Sequence, residues 1–383
     1  MDKSLTATAL PDAAADAASV AARSAADAEA NRKLAPEVVR AVRDAGFARH
    51  FVPLGHGGRQ GTFRELTTAV AVLGEACAAT AWCASLSAHM SRMAAHLPAA
   101  GLDELWADGP DPLLVGSLTP LGSAEPVDGG YRLSGRWPFI SAVDHSDWAL
   151  LAAVTRTDEG PQPRVFAVPR AQYRTMDTWF NVGMAGTGSN TLIVDGVVVP
   201  EARSMSREDL FTGRPAAVDA PCYAVPMQAT TTMFAAPALG AARGALKAWL
   251  GHVTPKIAAA ARNPVQALPG MPTFNRAAHD VVLARSAAEI DAAQMLLDRA
   301  SATADLGPAI TRLDTMRAWR DCAVATDALV TVVNRLFRGV GTTGQARGNA
   351  VQRFWRDVNS LAGHQGLQVE SAAVAYSHEV IEV

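Results

Sequence analysis

The sequence predicts a mainly α-helical protein with a central β region. Three observations carry this: alanine-rich sequence with helical periodicity fills the first part of the chain, short β-patterned runs separated by turn signals follow, and helical periodicity returns from Ala220 onward. The expected division is 1–111 as an N-terminal helical domain, 112–215 as a central β domain and 216–383 as a C-terminal helical bundle. At 383 residues and 49% hydrophobic content, the chain can fill such cores without disulfide or metal staples.

Two helices open the chain. Asp12 can cap the first, and Pro36 sits where a first-turn proline belongs, ahead of Val38, Val39 and Val42 with Gly46 as terminator. The glycine-rich stretch Val52 to Gly61 reads as a loop, after which Thr62-Phe-Arg-Glu65 reads as a capping box opening a long helix through Leu66, Val70 and Leu73. A further helix runs from about Thr80 to Leu97, and its Trp82, Leu86, His89 and Met93 fall on one face. Pro98 and Pro110-Asp-Pro112 then mark the boundary.

Leu113–Thr119, Tyr131–Ser134, Trp148–Thr155 and Arg164–Val168 read as short strands, with Asp128-Gly-Gly turning between the first two. Gly135 to Trp148 crowds hydroxyl, imidazole and indole groups between two of these strands, a mixture that suits a ligand better than a core. The same Ser141, His145 and Trp148 also suit an ordinary turn, with Asp144 and Asp147 bonding local backbone. Trp179 to Asn190 is a second polar, glycine-rich loop, followed by a strand pair around Leu192–Val194 and Val197–Pro200. Met233–Trp249, Phe274–Ala304 and Pro308–Phe337 read as long helices, and Asn349–Tyr376 supplies the last ones.

Several function classes drop out. A net charge of −3 with no lysine-arginine run gives no electrostatic footprint for nucleic acid or an anionic membrane. The four cysteines form no Cys-x-x-Cys pair, so neither a disulfide framework nor a zinc site is indicated, and no metal is expected. Met1 to Leu5 lacks a signal-peptide pattern and no apolar run reaches a membrane span, which reads as a cytoplasmic protein. Gly339-Val-Gly-Thr-Thr-Gly344 has dinucleotide-fingerprint spacing but follows a helical run, so it reads as an interhelical turn. Gly186-Thr-Gly-Ser189 lacks the glycine spacing of a nucleophile elbow.

Arg353, Asp357, Ser360 and His364 recur at intervals of four, three and four, forming one polar face on a late helix. An Arg353 or Arg356 ion pair to Asp357, with His364 capping the helix end, accounts for this face without any ligand. His89, on a stripe of apolar residues, equally suits a core histidine.

Taken in order, Pro36-Glu-Val-Val, Asp44-Ala-Gly46, Gly135-Arg-Trp-Pro-Phe-Ile-Ser141, Gly183-Met-Ala-Gly-Thr-Gly-Ser189, Val199-Pro-Glu-Ala-Arg203 and Gln352-Arg-Phe-Trp-Arg-Asp357 with His364 make the chain resemble the acyl-CoA dehydrogenase superfamily. More closely, it resembles the flavin-dependent monooxygenase branch, the oxygenase components of two-component systems. The similarity covers nearly the whole chain. It implies an acyl-CoA dehydrogenase-like fold with a β-barrel-like middle domain and a C-terminal four-helix bundle, usually a homotetramer.

The dehydrogenase branch places a catalytic glutamate after the Arg-Asp helix, whereas here the region reads His364-Gln-Gly with no carboxylate until Glu370. Proton abstraction beside a thioester needs such a base, which favours the oxygenase chemistry. The resemblance implies reduced FMN or FAD delivered by a separate flavin reductase, reaction with O2 through a C4a-hydroperoxide, and hydroxylation of a small, mostly apolar aromatic or polyketide-like molecule. N- or S-oxygenation uses the same chemistry; a desaturase and a non-catalytic flavin-binding protein are the other readings. It further implies His364, Ser141 and His89 as catalytic residues, His364 donating to the peroxide and His89 orienting or deprotonating substrate. Phe139, Ile140, Ser141, Trp179, Thr187, Gly188 and Ser189 would face the flavin, and Arg262, from a neighbouring subunit, would hold its phosphate, with Arg276 also available.

Overall fold

A computed structural model describes residues 9–157, 160–262 and 275–381. Met1 to Leu5 and Phe274, both used above, lie outside the described residues.

Five helices come first: α1 (Leu10–Asn31), α2 (Pro36–Ala45), α3 (Phe63–Gly74), α4 (Ala78–Ala94) and α5 (Ala99–Leu105). α1 buries Leu10, Ala14, Ala17, Ala21, Ala25 and Ala28, a stripe of small residues that packs on α3. Pro36 begins α2 and Gly46 ends it at φ 95. The Thr62–Glu65 pair divides its work. Thr62 Oγ1 accepts from Glu65 N at 3.2 Å, while the Glu65 carboxylate accepts from Leu10 N at 3.0 Å and so serves the start of α1. Asp12 lies inside the first turn of α1, not at its cap.

The middle of the chain forms one seven-stranded sheet: β1 (Leu114–Val127), β2 (Gly130–Ile140), β3 (Trp148–Thr157), β4 (Gly160–Pro169), β5 (Arg174–Met176), β6 (Asn190–Pro200) and β7 (Ser204–Ser206). Their order is β5-β6-β2-β1-β3-β4-β7, with β1 and β3 parallel and the remaining pairs antiparallel. The expected strand pair at 192–200 is a single strand. Gly196, at φ 65, is absorbed where pairing with β2 shifts between Leu133 and Gly135.

The first half of Gly135–Trp148 is likewise strand. Leu133, Trp137 and Ile140 are fully buried, and Trp137 Nε1 donates to Ala152 O at 2.8 Å. A second register shift falls between Trp137 and Ile140. Pro138 offers no N–H to the ladder there, and Phe139 takes a left-handed φ of 65.

After the short α6 (Arg207–Thr212) come α7 (Thr232–Arg262), α8 (Arg276–Ala304), α9 (Arg312–Gly339), α10 (Ala350–Leu361) and α11 (Val369–Val380). α7 continues past Trp249, through Pro255, to Arg262. It crosses α3 closely: a Cβ on Gly240 would lie 2.2 Å from Ala71 O. Trp249, Leu297, Leu329, Val333 and Leu336 fill the core between α7, α8 and α9. No helix among the described residues is long and apolar enough to cross a membrane.

Candidate active site

Three segments meet beyond the end of β2: the turn starting at Ser141, the Met184–Ser189 turn ahead of β6, and the N-terminal half of α4. Ala142 N donates to Thr187 O at 2.8 Å and so ties the two turns together. A row of hydroxyls connects them. Trp82 Nε1 donates to Ser141 Oγ at 3.1 Å, Ser141 Oγ lies 2.8 Å from Ser189 Oγ, Ser189 Oγ lies 2.7 Å from Thr187 Oγ1, and Thr187 Oγ1 donates to Met184 O at 2.8 Å.

Counting protons fixes the direction of this row. A carbonyl only accepts, so Thr187 spends its proton on Met184; Ser189 must then donate to Thr187, and Ser141 to Ser189. Ser141 therefore has its proton engaged and one Oγ lone pair already filled by the indole. What it has left to offer a ligand is an acceptor.

His364 sits just beyond α10, opposite Trp82. Its ring stacks at 3.9 Å on Phe234, from the first turn of α7, and lies 5.7 Å from the Trp82 ring, which itself lies 5.5 Å from Phe234. Gly366 N donates to His364 Nδ1 at 3.1 Å. Nδ1 must then carry the lone pair, and the neutral ring holds its proton on Nε2. Burial pushes the imidazole down to about 4, so at neutral pH it is an uncharged Nε2–H donor.

Asp357 fixes α10 to the hydroxyl row by accepting from Met184 N at 2.6 Å. Desolvation raises this buried carboxyl to about 6, against the opposing effect of that hydrogen bond. The arginine–Asp357 pairing that the sequence allowed is replaced. Arg356 pairs with Glu29 of α1 and donates to Val182 O at 2.6 Å. Gly183 permits the contact, since a Cβ there would lie 2.2 Å from Arg356 O. His364 does cap a short turn, Gln365–Leu367.

Phe139 projects outward, the residue 71% exposed, with its ring 6.1 Å from the Trp179 ring in an edge-on arrangement. Trp179 is anchored by Nε1 on Met184 O at 3.0 Å. A bulky residue held at positive φ with an uncovered ring is costly unless something uses it. An exposed aromatic wall beside a hydroxyl acceptor fits a planar, hydrogen-bonding ring such as a flavin, and Phe139, Trp179, Ser141 and the Thr187–Ser189 turn are the residues that would hold it. Ile140 can contribute only backbone, because its side chain is fully buried. Arg262 closes α7 with Nε on Ala258 O, and Arg276 pairs with Asp280 at 3.1 Å; both stand apart from the hydroxyl row in this chain.

His89 does not join Ser141 and His364. It shares a helix face with Trp82 but lies about 10 Å further along the axis, where its ring meets Phe51 at 5.5 Å and Phe63 at 5.9 Å. All of α4 but Leu86 is buried, so one face meets different neighbours along its length. Complete burial, with Arg92 and His50 nearby, holds His89 neutral inside an aromatic core. The role as substrate base is withdrawn on that ground.

His145, by contrast, borders a cleft between α2, α4, the start of β1 and the Ser141 turn. Phe139 and Ser141 line the same cleft, together with Leu34, Val42, Leu86 and Met90. Trp82, Phe234 and this cleft were not assigned to the site from the sequence; Trp82 carried only a periodicity signal and Phe234 none. A desaturase would need a carboxylate base here, but Glu370 is exposed on α11 and Asp357 is bound to Met184 N.

The chain is similar to known proteins over most of its length. Residues 7–107 and 232–369 match the family models for the N-terminal and C-terminal domains of acyl-CoA dehydrogenase. An FADH2-dependent resorcinol hydroxylase, oxygenase component, from Rhizobium sp. (strain MTP-10005) is 32% identical over 89% of this chain and 86% of its own. The oxygenase subunit HsaA of a flavin-dependent monooxygenase from Rhodococcus jostii (strain RHA1) is 31% identical over 90% and 91%. Among solved structures, the 3-HSA hydroxylase of Rhodococcus sp. RHA1 superposes with a TM-score of 0.89 at 28% identity over 98% of each chain. XiaF from Streptomyces sp., solved with FADH2 and glycerol, gives 0.82 at 27% identity over 97% and 95%. The chain belongs to the acyl-CoA dehydrogenase family, in the branch of flavin-dependent monooxygenase oxygenase components.

Proposed function

We propose that this chain hydroxylates a small aromatic molecule, using reduced FMN or FAD delivered by a separate reductase. The observation that carries it is the juxtaposition of a neutral Nε2–H donor, His364, with an acceptor-only Ser141 across Trp82 and Phe234. When bound, reduced flavin supplies the two electrons that split O2, one oxygen atom entering the substrate and the other leaving as water. Ser141 would accept a hydrogen bond from the flavin ring, a demand that a reduced ring nitrogen bearing a proton meets. His364 would donate from Nε2 to oxygen as negative charge develops there, and the packed indole and phenyl rings keep water from that point. Phe139 and Trp179 would hold the ring, Arg262 of a neighbouring subunit its phosphate, and the assembly would be a homotetramer in the cytoplasm. Resorcinol hydroxylase and related relatives support an aromatic substrate.

Stopped-flow mixing of anaerobic protein and reduced flavin with oxygenated buffer tests the reading. A transient with an absorbance unlike either reduced or oxidised flavin is expected. Reoxidation at the rate of free flavin would refute it.

A further inference from the structure

The cleft beside Ser141 is apolar along most of its wall, and its polar lining side chains are Thr80, Ser87, Ser141 and His145. Three of these are engaged. Thr80 bonds Cys77, Ser141 belongs to the hydroxyl row, and His145 Nε2 donates to Leu34 O at 3.0 Å. Ser87 is different: it is 6% exposed and its Oγ has no hydrogen-bond partner.

Helical serines usually settle this need by bonding a carbonyl one turn back. Ser91 does so on Ser87 O at 3.3 Å, and Ser85 reaches Met233 O at 2.8 Å. Ser87 has taken neither course. It stands on the face of α4 that lines the cleft, in line with Thr80, Cys83, Ala84 and Met90.

We infer that this cleft receives the substrate and that Ser87 is its specificity-determining contact, hydrogen-bonding a hydroxyl substituent of an aromatic ring whose opposite edge faces Ser141. The inference rests on the proposed oxygenase reading for the identity of the ligand as substrate. Apolar lining by Leu34, Val42, Leu86 and Met90 suits the ring itself. Because the lone pair of His145 is on Nδ1, that residue can accept from a second hydroxyl.

The test titrates the full chain, without flavin, with resorcinol and with m-xylene, in which methyl groups replace the hydroxyls, following tryptophan fluorescence. The wild type is expected to bind resorcinol at least about tenfold more tightly. Ser87→Ala should weaken resorcinol about tenfold, leave m-xylene unchanged and keep the melting temperature, since no internal partner is lost. Equal weakening of both probes, an unaltered preference, no preference in the wild type, or a lowered melting temperature would each overturn the inference. The stopped-flow experiment on the wild type reports separately on the oxygenase reading. A normal Ser87 effect with free-rate flavin reoxidation would leave the binding site standing and remove the reaction.

Discussion

Acidification offers a direct measure of how His364 is held. Burial lowers this imidazole from its ordinary 6.5 to about 4, so between those values the unfolded chain binds a proton that the folded one refuses. Stability therefore falls as pH drops through that window, and the loss is complete below about pH 4. Integrating the two titrations from pH 7 to pH 5 gives about 2 kcal/mol for this one residue. His89 and His96 are lowered by burial as well and add to the same slope, while Asp357, raised to about 6, opposes it. A difference between proteins isolates the residue of interest. Urea denaturation at pH 7 and pH 5 should show the wild type losing about 2 kcal/mol more than His364→Gln over the same interval. Parallel losses would mean that His364 takes up its proton in the folded state near its ordinary pKa, and the neutral Nε2–H donor would have to be given up.

Replacing Phe139 with glycine should separate stability from function. The change relieves about 1–2 kcal/mol of left-handed strain against about 0.5–1 kcal/mol lost to a freer unfolded chain, so the melting temperature should rise while flavin affinity, read by fluorescence quenching, falls about tenfold; a lower melting temperature would contradict the assignment. Ser189→Ala removes the acceptor that holds the Ser141 proton, freeing Ser141 to donate. The ratio of reduced to oxidised flavin affinity should narrow about fivefold, and an unchanged ratio would show that the row has no set direction.

The β2 turn and the Thr187–Ser189 loop are legible in the sequence because hydroxyls and glycines cluster there between β-patterned runs, and the structure joins them through Ser141 and Ser189. His89 is misplaced for a physical reason. Periodicity reports the angle of a residue about the helix, not which neighbour the helix meets at that height, and on a helix buried all round the two part company. The strand pair expected around Leu192–Val194 and Val197–Pro200 is one strand because the positive φ of Gly196 is met by a bulge without reversing the chain. Ser87 leaves no trace at all. Ser85, Ser87 and Ser91 look alike in a small-residue helix, and only the contacts show which hydroxyl is left over.

The distribution of charge explains why these neutral groups matter. Around the site, formal charges stand on the outer wall, where Arg32 meets Asp177 at 2.7 Å and Arg356 meets Glu29. Inside, burial favours the neutral forms of His364 and His145; Asp357, raised only to about 6, is the exception and stays mainly ionised at neutral pH on the Met184 N–H. A fixed cation beside the reacting oxygen would stabilise negative charge before the reaction as well as during it, and so would lower the starting state too. A neutral Nε2–H held by the Gly366 contact acts most strongly when charge develops, and low polarity around Trp82 and Phe234 magnifies that late interaction. The same reasoning makes a charged substrate costly to admit to the apolar cleft, where a ring hydroxyl matched to Ser87 brings polarity without charge.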